Sequence, residues 1–225
     1  LIAFSADLDP RPDRVDYELA VMPAAGGGIT VLTDTPGRHE RDPCWSPDGN
    51  LIAFTRDQQD LVVFDRQAGA VRNDFAMRAS GPCFSPSGTE LAFVWATRDG
   101  EAPSLCVLDL ASGAVRRLVD PLGEVGWLSG GQPSWSADGS SILFVSVRDS
   151  EPPPPWGGIP TAWSPTCGIY SVSLGDLSIT PVWVNPKWNL VYPRWVPGRT
   201  TAVRRWAWGQ VKASFAGAAP PATAA

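Results

Sequence analysis

The sequence predicts an all-β fold: a β-propeller of about four to five four-stranded blades, forming an incomplete ring. Three observations lead there. A segment recurs without gaps as PCWSPDGNLIAF from Pro43 to Phe54, PCFSPSGTELAF from Pro82 to Phe93 and PSWSADGSSILF from Pro133 to Phe144. Glycine (22) and proline (23) together are too abundant in 225 residues for a helical bundle. Each recurrence is followed by further apolar runs of strand length, giving four strands in a unit of about 40 residues. Such near-continuous apolar strands need sheets covered on both faces, which radial stacking of blades supplies and a regular flat sandwich does not.

Taken in order, the elements of one unit each have a physical reason. Proline is expected to open the first strand, where its missing N–H costs least. An aromatic residue then buries, and Ser-Pro-Asp-Gly turns the chain, since proline presets φ, aspartate bonds nearby backbone and glycine accepts φ > 0. The second strand is LIAF or its equivalent. The third is LAVM at Leu19, LVVF at Leu61, LCVL at Leu105 and IYSV at Ile169. A short glycine-bearing turn (Gly26–Gly28, Gly69, Gly113, Gly175) leads to the fourth: ITVL, AVRNDF, AVRRLV and SITPVWV. A further copy, PRWVPGRTTAV from Pro193, has lost the Asp-Gly turn. The opening residues Leu1–Phe4 match Leu51–Phe54, so the chain begins inside a unit and is expected to be a fragment. Blades are expected at about 1–34, 42–79, 81–120 and 132–184, with a partial one at 193–212. These make a propeller over 1–215 with a disordered tail or linker at 216–225, where AGAAPPATAA offers nothing to bury.

Composition narrows the function classes. With 44% hydrophobic and 18% charged residues the chain is globular and large enough to bury a core without staples. A net charge of −5 argues against a nucleic-acid groove or an anionic membrane patch. No apolar run approaches the roughly 18 residues of a membrane span, and no signal-peptide pattern is visible at a start that is expected to be truncated. Cys44 and Cys83 share one repeat position, Cys106 lies in an apolar strand and Cys167 in a long insertion, with no CxxC spacing. All four read as small buried hydrophobes rather than disulfides or zinc ligands, and no cofactor is expected.

The pattern PxWSPDGxxIAF, followed by an apolar strand and a D-L-x-x-G turn, resembles the WD40-like repeat of the TolB family. It is also similar to blades of the propellers of prolyl oligopeptidase-, dipeptidyl-peptidase IV- and tricorn-type peptidases. The likeness covers residues 1 to about 205. Ser87 replaces the aspartate of one turn and Ala137 the second proline of another. The resemblance to TolB implies a bacterial, periplasmic or otherwise extracytoplasmic protein with partners of the envelope or lipoprotein type.

In up-and-down blades successive loops alternate between the two faces of the disc. The SPDG turns and glycine turns share one face. The loops between strands two and three (7–18, 97–104, 148–168) and those between blades (34–42, 120–132, 185–192) share the other, and all the length variation is there. Loops on a rigid scaffold are where binding usually resides. Trp156 and Trp163 in the longest insertion, beside the run Pro152–Pro155, and Trp127 and Trp188 in neighbouring loops form one candidate surface for a protein partner, a peptide or a glycan. The alternative is that these rings only pack the insertion onto its blade. Trp45 and Trp135, at repeat positions, are core. His39-Glu40-Arg41-Asp42 is expected to precede a first strand at the edge of the central channel, either as a ligand-binding group or as a solvated polar loop.

Catalytic motifs are missing. Gly126-Trp127-Leu128-Ser129-Gly130 places its serine one position late for a nucleophile elbow, and His39 is the sole histidine. Gly26–Gly28 lacks the lysine and helix of a phosphate loop. Asp7, Asp9, Asp13 and Asp16 do not follow calcium-loop spacing and are interleaved with Arg11 and Arg14. The expected function is a non-catalytic scaffold that binds a protein partner through its loop-rich face. The alternatives are the substrate-gating propeller of a serine peptidase, which a GxSxG elbow elsewhere in that protein would mark, and a propeller that binds a glycan or small ligand.

Overall fold

The computed structural model describes residues 1–7, 16–57, 60–95, 103–119, 127–128, 132–148 and 166–185. All regular structure among them is β, in four antiparallel sheets. Sheet 1 runs β1 (Ile2–Asp7), β2 (Tyr17–Met22), β3 (Thr30–Val31). Sheet 2 runs β4 (Glu40–Trp45), β5 (Leu51–Arg56), β6 (Asp60–Asp65), β7 (Ala70–Phe75). Sheet 3 repeats this with β8 (Ala79–Phe84), β9 (Glu90–Trp95), β10 (Ser104–Asp109) and β11 (Val115–Val119). In sheet 4, β12 (Trp127–Leu128) and β13 (Ser134–Trp135) both pair with β14 (Ser141–Arg148), so together they stand where β4 and β8 stand. The sheet continues through β15 (Thr166–Ser173) to β16 (Ile179–Asn185).

The sheets stack in chain order, and period-two alternation sends successive side chains to opposite neighbours. Ile52, Phe54, Val62 and Phe64 pack with Leu19 and Val21 of sheet 1. Ala53, Leu61 and Val63, on the other face of the same strands, pack with Phe84, Leu91, Phe93, Cys106 and Leu108 of sheet 3. Ala92, Val94, Leu105 and Val107 then meet Trp135, Ile142, Phe144, Tyr170 and Val172 of sheet 4. This two-sided cover is why the strands read as unbroken apolar runs. Phe54, Phe93 and Phe144 close the repeated segment and are wholly buried, each contributing roughly 1.5–3 kcal/mol of apolar burial. β7, the outer strand of sheet 2, is mostly exposed.

The expected tight turn forms in three copies. In the first, the Ser46 amide donates to the Leu51 carbonyl, the Gly49 amide donates to the Ser46 carbonyl at 3.0 Å, and Gly49 has φ 71°. Asp48 accepts from Ser46 Oγ and from the Asn50 amide, and Asp138 does the same for Ser136 and Ser140. The second turn in sheets 2 and 3 is an aspartate turn: Asp65 accepts from the amides of Gln67 and Ala68, and Asp109 from those of Ala111 and Ser112.

One local expectation fails. In two copies the proline does not open the first strand: β4 begins at Glu40 and β8 at Ala79, three residues before Pro43 and Pro82, whereas Pro133 directly precedes β13. The register breaks between Arg41 and Cys44 and again between Ser80 and Cys83. Pro43 and Pro82 therefore sit at β-bulges, where a missing N–H also costs nothing, and the residue before each has positive φ (Asp42 55°, Gly81 58°).

Candidate functional site

Glycine and aspartate turns occupy one face of the sheets, as the loop arithmetic requires. On the opposite face the starts and ends of strands in sheets 1 and 2 gather polar residues. Glu18 interrupts the apolar β2, Arg56 ends β5, Asp60 begins β6, and Thr33, Thr35, Arg38 and His39 lie on the connection from β3 to β4. Glu40 is the first residue of β4 and is fully buried.

Glu18, Thr33, Thr35, Glu40 and Arg56, with Asp74, form a continuous network. The Arg56 guanidinium donates from Nε to Glu40 Oε1 at 2.9 Å and from Nη1 to Asp74 at 3.2 Å. The hydroxyl of Thr35 donates to Glu40 Oε1 at 2.6 Å and lies 3.4 Å from Glu18 Oε2. Glu18 also accepts from the Thr33 hydroxyl at 2.6 Å and from the Thr35 amide at 2.7 Å, while the Leu19 amide donates to Thr33 Oγ1 at 2.8 Å. The second oxygen of Glu40 has no partner among the described residues. Burial is the main force raising the Glu40 carboxyl above its ordinary range; the bonds from Thr35 and Arg56 oppose it and the nearby Glu18 carboxylate adds to it. A buried ion pair of this kind is weak evidence of stabilisation, yet loss of one partner costs roughly 3–5 kcal/mol.

The rim of the network carries His39. Its amide donates to Asp57 at 2.8 Å and its carbonyl accepts from the Asp57 amide at 2.9 Å. Its Nδ1 accepts from the Tyr17 amide at 3.5 Å, and the two rings meet edge to face at 5.9 Å. Arg41 lies over the Tyr17 ring at 4.7 Å, and half-exposed Arg38 pairs with both Asp57 and Asp60. Asp16 accepts from the Gly37 amide and Asp7 from the Asp16 amide, so these two acidic residues tie down the surrounding backbone.

His39 is thus on the loop-rich face, as expected, but its surroundings correct the expectation. Glu40–Asp42 belong to β4 itself, and Glu40 is interior rather than part of a solvated loop. Trp127 pairs through its backbone with Val147 in sheet 4; its side chain, and the whole of Trp156, Trp163 and Trp188, lie outside the described residues, as does 216–225. Trp135 is buried and Trp45 packs against the core between sheets 1 and 2. Cys44, Cys83 and Cys106 carry thiols that are not joined in disulfides. Glu18, Thr33, Thr35, Arg56 and Asp74 were not singled out in the sequence. The signal available was a charged residue inside or ending an apolar strand, repeated at one end of neighbouring strands.

As chemistry, the arrangement holds carboxylates and guanidinium groups in fixed geometry. Among the described residues no three histidine, cysteine, aspartate or glutamate side chains are grouped to hold a metal ion, and no helix is long and apolar enough to cross a membrane.

Residues 14–153 match the family model of the TolB beta propeller domain. The chain belongs to that family. Solved structures similar to this TolB-family propeller include TolB from Acinetobacter baumannii (TM-score 0.61, 19% identity, 80% of this chain and 40% of that one). Another is the putative TolB from Agrobacterium tumefaciens (TM-score 0.58, 20% identity, 81% of this chain and 60% of that one). A curated relative, the uncharacterized peptidase YuxL of Bacillus subtilis, is 30% identical over 123 residues, which are 49% of this chain and 18% of YuxL. The chain spans less than two thirds of the length of each of these proteins.

Proposed function

We propose that this TolB-family propeller is a non-catalytic binding scaffold that presents its loop-rich face to a protein partner in an extracytoplasmic compartment. One observation supports this above others: the buried Glu18–Glu40–Arg56 network and its rim of Arg38, His39, Asp57 and Asp60 gather on that face. A rigid platform of this kind presents loops with little ordering cost on binding. His39, with Trp127, Trp156, Trp163 and Trp188, are the residues proposed to meet the partner. Family membership supports the envelope-type partner. Site-specific photo-crosslinking tests the reading. A photoreactive side chain at His39 should capture a discrete partner in cells, while the same group at Ala68 or Ser112, in the turns of the opposite face, should not. Equal capture from both faces counts against it.

A second reading is supported by the likeness to YuxL, which is named a peptidase: the propeller would gate substrate entry to a peptidase domain elsewhere in the same protein. Peptide hydrolysis by the complete protein, altered in substrate-size preference by changes at His39 and Arg38, would favour this reading over the first.

A further inference from the structure

The connection from β3 to β4 is longer than its counterpart: residues 76–78 suffice to join β7 to β8, whereas residues 32–39 join β3 to β4. Carboxylates hold this extra length in place. Glu18 accepts from the Thr33 hydroxyl and the Thr35 amide, Glu40 from the Thr35 hydroxyl, Asp16 from the Gly37 amide and Asp57 from the His39 amide. Arg38 adds ion pairs to Asp57 and Asp60, and its own amide donates to the Thr35 carbonyl at 2.9 Å. The segment that carries His39 is thus a strap whose seat is made almost wholly of acidic side chains.

Thr35 is the point where two of them meet. Its Oγ1 lies 2.6 Å from Glu40 Oε1 and 3.4 Å from Glu18 Oε2, and both glutamates are buried. A hydroxyl has one proton to donate. When both carboxyls are ionised, Thr35 can serve only one and turns a lone pair toward the other; the distances show Glu40 served and Glu18 at the limit of a hydrogen bond. When the pair carries one proton, the hydroxyl can accept from one carboxyl and donate to the other, and both contacts become hydrogen bonds.

The surrounding charges favour that proton. Arg56, at the end of β5, is shared between Glu40 and Asp74 of β7, and Arg38 is engaged by Asp57 and by Asp60 of β6. Glu18 is held by the neutral donors of Thr33 and Thr35. Two buried carboxyls in one site with a shared cation do not both ionise freely, in keeping with the raised carboxyl of Glu40.

We infer that residues 33–39 form a proton-gated strap, seated on Glu18 and Glu40 when the pair holds one proton between them and loosened when that proton is lost. His39 works in the opposite sense, since a proton on Nδ1 would remove the acceptor of the Tyr17 amide. Arg41, over the Tyr17 ring, keeps its charge throughout. The sign of the response therefore identifies the group that governs the strap. This gating is independent of the partner proposed for the loop-rich face.

The test is amide hydrogen exchange of the full 225-residue chain, read residue by residue by NMR from pH 4.5, just above the ordinary glutamate value of about 4.3, to about pH 8. Each rate is divided by that of an unstructured peptide to remove base catalysis. Protection of the Thr35 and Arg38 amides should fall as pH rises, by roughly two- to tenfold, the worth of one hydrogen bond. The Gly49 and Gly88 amides, bonded to the Ser46 and Ser85 carbonyls in turns of the opposite face, should keep theirs. Glu40→Gln presents a neutral group of the same shape and should leave the strap protected at every pH. Thr35→Val keeps the amide bond to Glu18 but removes the hydroxyl between the carboxyls, so it should abolish the pH dependence, and Thr35→Ser should restore it. A wild-type profile that is flat, or in which protection falls with acid, would overturn the inference by itself. So would a pH dependence that persists in Glu40→Gln or Thr35→Val.

Discussion

Gly81→Ala should destabilise the protein well beyond Gly49→Ala, although both glycines have positive φ (58° and 71°). For Gly49 an added Cβ meets nothing within 4 Å, so only the left-handed backbone is penalised, at about 1–2 kcal/mol. Gly81 carries the same backbone cost and a collision, because its Cβ would lie 2.8 Å from the Cα of Gln132. Gln132 cannot step aside: it is buried, and its Nε2 donates to the Pro82 carbonyl at 3.1 Å. Forcing the backbone at Gln132 away from β8 is overpacking against backbone, and adds about 1–3 kcal/mol. In a chain of this size each kcal/mol lowers Tm by about 2–4 °C, so Gly81→Ala should melt about 2–12 °C below Gly49→Ala. Circular dichroism melts and urea titrations of both variants measure this, with Gly69→Ala (φ 64°, equally open) as a control that should follow Gly49→Ala. Equal shifts at Gly81 and Gly49 would refute the close approach of sheets 3 and 4 at the bulge.

Three further outcomes follow from the polar groups and the thiols. Arg56→Ala leaves Glu40 buried without its cation and should cost roughly 3–5 kcal/mol at neutral pH by urea unfolding. Glu40 has its carboxyl already raised in the folded state, so the folded protein holds its proton more tightly than the unfolded chain. The deficit in Arg56→Ala should therefore be least near and below the unfolded glutamate value of about 4.3 and grow as pH rises through the folded value; a deficit independent of pH would contradict the burial of that charge. Asp138 and Asp176 are held down to about 2, the first chiefly by the Ser136 hydroxyl and the second chiefly by that of Ser173. Their contribution is complete above the unfolded aspartate value of about 3.9 and is lost as pH falls toward 2, so the acid limb of a Tm profile should be shallower in Asp138→Asn and Asp176→Asn. Cys106 is fully buried, and burial pushes its thiol up to about 11; Ellman's reagent at pH 8 should reach it only at the rate of unfolding, and immediate labelling would contradict its place in the core.

The repeat made the sheets legible and hid the site, for one physical reason. Strand identity follows from residues that recur: Phe54, Phe93 and Phe144 pack at equivalent places between sheets, and Gly49, Gly88 and Gly139 turn the chain at φ near 70–75°. A unit read once is read in every blade. The polar network depends on what does not recur. Glu40 is replaced by Ala79 at the matching position of sheet 3, and Ala79 packs in the core. The motif therefore carries no trace of a buried carboxylate there. His39-Glu40-Arg41-Asp42 looked like a polar loop because its charges stand before the proline taken to begin the strand. The bulge at Asp42–Pro43 moves that beginning three residues upstream and turns Glu40 inward. Trp45 illustrates the converse: as a repeat position its burial was legible, but that its N–H meets no acceptor among the described residues appears only when its geometry is set beside that of Trp135. Departures from the repeat, in sequence at Glu40 and in hydrogen bonding at Trp45, are therefore where this scaffold departs from bare architecture.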